Sequence, residues 1–368
     1  MSDNLQRNCA IHDTLKQLCP QPPQGNHARH LRTLAHLVSG IVGSKRSNLP
    51  AIASKAPDGS RRESRIKRYS RWLSNERITM ETYFLPYVRT LLASLPEGPL
   101  VLVMDGSSVG RNCQALLVSV LYKKRALPLA WSVMQGKKGH LGEQMHQDLF
   151  EQVAALLPPE RTIIFLGDGE FNGIDLLGLV AQQGWFFACR ISKNTLLCER
   201  EEWFSLSLLS MQPGDQIEMP EVLFTQQGFG PVLVVAVWER GYEEPLYLVS
   251  NFDLPEEACF WYKKRFSIET FFSDQKSRGF HLAHCHLGEP MRLQRLLMAT
   301  CLAYLWMVCL GEMVQRRGWL PLVHRKSRCD LSLFQIGLLW IEHCLNEGWA
   351  VPVAFQMGTR PSLKESVR

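Results

Sequence analysis

Residues 261–276 read WYKKRFSIETFFSDQK and place Tyr262, Arg265, Glu269 and Lys276 at successive intervals of 3, 4 and 7 residues. At 3.6 residues per turn these intervals return close to one face of a helix, setting a carboxylate between two cations and a phenol. Such a face suits phosphodiester chemistry, in which the acid holds a divalent cation and the cations grip phosphate oxygens. Phe266, Ile268, Phe271 and Phe272 are predicted to anchor this helix to a core. An amphipathic helix with solvated charges has the same pattern, so other acids must decide between the two readings.

Two candidates stand upstream. Residues 100–104, LVLVM, form a short β-type run ending in Asp105, followed by Gly106. Residues 162–166, TIIFL, form another that ends in Gly167-Asp168-Gly169. Each Asp alone reads equally well as a turn residue. At strand ends beside glycines, both are also where α/β enzymes carry metal-binding acids. Apolar runs at 113–122 and 126–134 flank Lys123-Lys124-Arg125 and predict a hairpin, giving three consecutive antiparallel strands. Helical spacing over 143–157 closes at Pro158-Pro159. The Asp168 strand, a helix over 174–183 and a strand over 185–191 follow. With the acid-bearing helix last, this is the α/β layout of an RNase H-like core, a mixed five-stranded sheet with flanking helices.

On these residues the chain resembles the DDE transposases of the insertion-sequence-four group. That group's signature is Tyr, two residues, Arg, three residues, Glu, six residues, Lys, and Tyr262, Arg265, Glu269 and Lys276 satisfy every position. The resemblance implies that Asp105, Asp168 and Glu269 are the catalytic acids, holding two Mg²⁺ ions with Mn²⁺ able to substitute. It implies a β-rich insertion before the last helix, matched by β-like runs within 217–251. Tyr262, Arg265 and Lys276 would bind terminal phosphates. Trp238 or Tyr247 would stack on a flipped base, although either could equally be an aromatic of a β core. Glu170, two residues after Asp168, reads as a neighbour of the acids rather than a ligand. The implied activity is binding of an element's terminal inverted repeats, metal-dependent end cleavage through hairpin ends, and strand transfer to target DNA by a homodimeric paired-end complex. A catalytically silent or domesticated descendant that only binds DNA is the alternative.

The 368 residues carry a net charge of +6 and a pI near 8.7, compatible with a nucleic-acid partner. Basic residues concentrate at 55–77, where Ile66, Tyr69 and Leu73 form one helical stripe and Arg61, Arg65 and Arg68 a second, predicted to face DNA. The expected organisation is a poorly structured or peripheral segment 1–26 and a helical DNA-binding domain 27–92. The catalytic core follows in two parts, 93–191 and 257–345, split by the insertion 192–256, with a tail at 346–368. Eleven cysteines without a CxxC pair point to a reducing compartment. The apolar run 296–310 is short for a membrane span and reads as a core helix. No secretory leader is evident in the first residues, so a bacterial cytoplasmic, nucleoid-associated protein is expected.

Overall fold

The computed structural model describes residues 1–136, 141–325 and 329–358. Six helices come first: α1 (Asp3–Gln17), α2 (Gly25–Ser44), α3 (Leu49–Ser54), α4 (Arg62–Leu73), α5 (Met80–Tyr83) and α6 (Leu85–Ser94). An α/β region follows with β1 (Leu100–Val109), β2 (Cys113–Tyr122), β3 (Arg125–Gln135), α7 (Glu143–Ala154), β4 (Ile163–Gly167), α8 (Ile174–Gln182) and β5 (Phe186–Arg190). Next come β6 (Leu196–Glu199), β7 (Glu202–Ser205), β8 (Gln216–Phe224), β9 (Phe229–Val237) and β10 (Leu246–Ser250). The chain finishes with α9 (Pro255–Tyr262), α10 (Ser267–Ser273), α11 (Pro290–Arg316) and α12 (Leu333–Asn346).

All ten strands form one mixed sheet in the order β3-β2-β1-β4-β5-β10-β9-β8-β6-β7. β1 pairs antiparallel with β2 and parallel with β4, and β4 runs parallel to β5. The expected five-stranded sheet is therefore half of a larger one. The open edge of β5 is taken by β10, with Leu248 opposite Arg190 and Ser250 opposite Ala188. An uncovered edge leaves a row of unpaired backbone groups, which β10 satisfies. Asp105 also lies inside β1 rather than at its end, because Gly106 to Val109 continue the ladder opposite Leu116 to Cys113.

Buried on both faces, the central strands are near-continuous apolar runs. α10 and α11 pack against β3, as does α7. α11 runs for 27 residues, longer than the predicted core segment. By length and composition it could cross a membrane, but its whole apolar window is buried inside the protein. Phe271 of α10 meets Tyr304 edge-on at 4.9 Å, and Tyr304 stacks on Phe334 of α12 at 5.4 Å, so α11 ties the last helices together.

The amino-terminal helices join the same hydrophobic core rather than forming a separate one. Buried Arg295 of α11 donates to the carbonyls of Leu73 (2.9 Å) and Ile78 (3.2 Å), and Phe84 packs on Trp131 of β3 at 4.6 Å. Residues 1–26, expected to be poorly structured or peripheral, carry α1, whose Ile11 and Leu15 lie one turn apart and are fully buried. The tail also packs, with Phe355 and Met357 buried and Trp306 donating to the Pro352 carbonyl. Its residues 359–368 lie outside the described residues.

The arginine stripe predicted to face DNA, Arg61, Arg65 and Arg68, is partly engaged within the fold. Arg65 and Arg68 are paired with Asp58 at 2.9 and 2.6 Å, and Arg65 also donates to the Ala53 carbonyl. These two side chains fasten the loop before α4, with Arg65 largely covered and Arg68 still over a third exposed. Arg61, Arg62, Lys67 and Arg71 are the exposed cations there. Burial pushes the Asp58 carboxyl up, but hydrogen bonds from Ser60 and Arg68, with the Arg68 charge, hold it well below the usual carboxylate range. Its stabilisation is present above its unfolded pKa near ~4 and is lost as pH falls through the depressed folded value. Asp58→Asn is therefore expected to flatten the acid limb of the stability profile below pH ~4. Denaturant unfolding at pH 3 and pH 7 measures this, and an unchanged difference between the two would contradict it.

Candidate active site

Asp105 and Asp168 stand on neighbouring strands. Met104 is the register partner of Gly167 in the parallel β1–β4 pair, so each acid is one residue beyond that pair. Parallel strands lie roughly 4.8 Å apart, and residues in register share a face. The Asp105 side chain is buried, with its Oδ1 accepting from the Gly106 amide at 2.7 Å. Half-buried Asp168 accepts from the Glu170 amide at 2.9 Å. Glu170 reaches toward the same place: a Cβ on Gly106 would lie 3.8 Å from Glu170 Oε2.

The Glu269 segment is helical but not one α-helix. A 3₁₀ turn at Lys263–Phe266 links α9 to α10, and a π-helical turn at Asp274–Arg278 follows α10. In a 3₁₀ turn residues i and i+3 eclipse. The Arg265 guanidinium accordingly sits 5.8 Å from the Tyr262 ring. The same turn leaves Phe266, a predicted anchor, 54% exposed, while Ile268 and Phe271 are buried. The π turn is held by Asp274, paired with Arg125 at 2.9 Å, and by Gln275, which donates to the Thr300 carbonyl. It carries Lys276, half-buried with its Nζ 5.8 Å from the Phe272 ring.

Arg265 is the hub of the site. Its Nη1 lies 3.6 Å from Asp105 Oδ2 and its Nη2 3.6 Å from Glu269 Oε1, so one guanidinium joins the first and third acids. Arg265 is buried, whereas the Glu269 side chain is 59% exposed. Burial pushes the Tyr262 phenol above its ordinary range, against the opposing pull of the Arg265 and Arg190 charges.

A cleft of about 630 Å³ opens beside these groups. Asp168 and Arg265 line it together with Trp238, just past β9, Tyr247 of β10, Arg190 and Lys193. Both predicted aromatics thus reach the acids' cleft, because β10 pairs with β5 and carries the insertion to the edge nearest β4. Trp238 is half-buried and donates to the Tyr242 carbonyl, while Tyr247 is buried. Arg190 and Lys193 were not singled out from the sequence. The available signal was a cation closing the apolar strand that follows the Asp168 strand.

Oxygen donors from Asp105, Asp168 and Glu269 have the chemistry for a hard divalent cation such as Mg²⁺. As arranged, however, no three ligand-type side chains among the described residues gather closely enough to hold one. Arg265 stands between Asp105 and Glu269.

Similar structures include the piggyBac transposase synaptic complex with hairpin DNA (11% identity, covering 99% of this chain and 83% of that one, TM-score 0.49). The catalytic domain of human endonuclease V (14%, 56% and 89%, TM-score 0.24) and endonuclease V from Bacillus subtilis (12%, 67% and 94%, TM-score 0.24) are others. No curated protein matches the sequence significantly. The family model of the transposase DDE domain matches residues 98–306, more than half the chain, and that span holds β1, β4 and α10 with all three acids. The chain belongs to the transposase DDE domain family.

Proposed function

We propose that the protein is a cut-and-paste DNA transposase of the insertion-sequence-four group, built on an RNase H-like core. The observation that carries this reading is the convergence of Asp105, Asp168 and the Glu269 helix, with Arg265 joining Asp105 to Glu269. The strand order β3-β2-β1-β4-β5, with β1 next to β4, is consistent with such a core. Asp105, Asp168 and Glu269 would ligate Mg²⁺, or Mn²⁺ in its place. The bound metal would activate water or a 3′-hydroxyl and offset charge on the leaving oxygen. Arg265, Tyr262 and Lys276 would orient the end's phosphates, Arg265 by its planar fork. Arg190 and Lys193 line the cleft that would receive the strand, balanced there by Glu243 and Glu244, the latter 4.0 Å from Lys193. Trp238, at the half-buried rim, is better placed than buried Tyr247 to stack on an extruded base.

Transposon-end and target DNA are the substrates on this reading, and a homodimer pairs the ends. The exposed cations Arg61, Arg62, Lys67 and Arg71 offer a phosphate-binding face on and beside α4. Changing all four to Ala should reduce the log–log salt dependence of DNA binding by about 0.9 per lost phosphate contact. An unaltered slope would put the DNA on another face. The hairpin step is tested with Trp238→Ala on a radiolabelled duplex spanning an inverted repeat and its flank. Nicked ends should accumulate while hairpins fall by about tenfold, as expected for losing roughly 1–3 kcal/mol of base stacking. Hairpins formed at the wild-type rate would remove Trp238 from this role.

A further inference from the structure

Arg265 hydrogen-bonds with the Tyr262 phenol, but the rest of its guanidinium is poorly satisfied where it stands. Charge-assisted hydrogen bonds to carboxylates run at about 2.7–2.9 Å. Both of its ion pairs are 3.6 Å long, and its Nε is buried without a hydrogen-bond partner. Buried donors in a folded protein are nearly always paired, so this one calls for an explanation. The guanidinium is also positioned to leave. It lines the open cleft beside Asp168, Arg190 and Lys193, lies 4.8 Å from the exposed Phe266 ring, and needs no passage through the core to reach a ligand there. A phosphate accepting two hydrogen bonds would satisfy its planar fork better than two distant carboxylates from different elements.

We propose that Arg265 competes with divalent cations for the acid site, holding Asp105 and Glu269 by its own charge until a DNA phosphate draws it into the cleft. The inference rests on the proposed function, in which the acids are the metal ligands. Its consequence is linkage. A phosphate that removes the guanidinium frees Asp105 and Glu269 for the cation, and a cation on those carboxylates frees the guanidinium for phosphate. Each ligand must then tighten the other by the same factor, and such couplings typically span about 5–150-fold. A transposase built this way loads its metal where an end is bound, which restrains cleavage elsewhere.

The experiment measures Mn²⁺ binding by the loss of the free-ion electron paramagnetic resonance signal. Full-length wild type, Arg265→Met and Arg265→Lys are each titrated alone and with a 5′-phosphorylated duplex from the gene's flanking repeat. Alone, Arg265→Met should bind Mn²⁺ at least about fivefold more tightly than wild type. The duplex should tighten wild type by a similar factor and Arg265→Met little or not at all. Arg265→Lys keeps the charge but cannot bridge two carboxylates in a fork, so it should fall between them even if Arg265→Met folds poorly. Wild type alone binding as tightly as the folded variants, or equal tightening of all three by the duplex, would overturn the competition. Undiminished Mn²⁺ binding by Asp105→Asn with the duplex would instead overturn the metal-site assignment itself.

Discussion

Asp105→Asn, Asp168→Asn and Glu269→Gln should each cut transposon-end DNA at least ~10³-fold more slowly than wild type, while binding that DNA nearly as well. Losing one preorganised electrostatic element of a phosphoryl-transfer site has an effect of this order. DNA affinity comes mainly from cations on phosphates, so neutralising one acid leaves it largely untouched. The three variants differ in their structural cost. Glu269 is 59% exposed and its amide needs no buried partner. Asp105 is buried against Arg265, so Asp105→Asn leaves that guanidinium with Glu269 as its remaining carboxylate partner and should lower the melting temperature as well. Single-turnover cleavage, gel-shift binding and thermal melting separate these effects. A variant that cleaves at near the wild-type rate would exclude its residue as a catalytic acid.

Gly337→Ala should destabilise the fold by about 3 kcal/mol, a large part of the usual 5–15 kcal/mol. α11 and α12 cross with backbones almost touching. A Cβ at Gly337 would meet the Met307 carbonyl oxygen, and one at Gly311 would meet the Leu333 carbonyl, both far inside contact distance. Neither obstacle is a flexible side chain, so the helices must separate. Separation would pull Phe334 from Tyr304 and loosen the support under Phe271, two residues after Glu269. Denaturant unfolding monitored by circular dichroism tests this, and a midpoint within error of wild type would show that the crossing relaxes freely.

The sequence was most legible where local pattern decides structure. The β2 run from Cys113 to Tyr122 was read with its actual ends, because it is mostly apolar and closes on a Lys123-Lys124 turn with Lys123 in the left-handed region. Asp168 was singled out as an acid at a strand end and Glu269 by helical spacing, and they stand just past β4 and on α10. Distant partners were not legible. Nothing near 246–250 says that this strand will pair with β5 and make one ten-stranded sheet. Periodicity marked Arg65 and Arg68 as a surface stripe without revealing Asp58, whose loop folds back on them. The same limit applies to the Glu269 segment. Its 3₁₀ and π turns are accompanied by tertiary anchors, Arg125 on Asp274 and Thr300 on Gln275, which an ideal α-helical spacing cannot anticipate. Phe266 was therefore assigned to the core and lies outside it.

The shared core of the amino-terminal helices and α11 also determines how paired-end assembly is best studied. Deleting residues 27–92 would uncover the core they pack on, Trp131 of β3 included, and strip Arg295 of its partners, so complementation between subunits calls for point variants. A Glu269→Gln subunit mixed with one lacking the exposed α4 cations should restore part of the cleavage if one subunit binds an end that the other cuts. Absence of any recovery in a reconstituted paired complex would argue for cleavage by the subunit that binds.

The most direct measurement is end cleavage by the wild-type protein. A labelled duplex containing the inverted repeat beside the gene and its flanking DNA is incubated with protein and Mg²⁺, and the products are mapped at nucleotide resolution. The expected product is a break at the repeat's outer boundary leaving a 3′-hydroxyl, lost with chelator and lost in Asp168→Asn. Duplex that is bound but uncut, or cut equally well by Asp168→Asn, would contradict it.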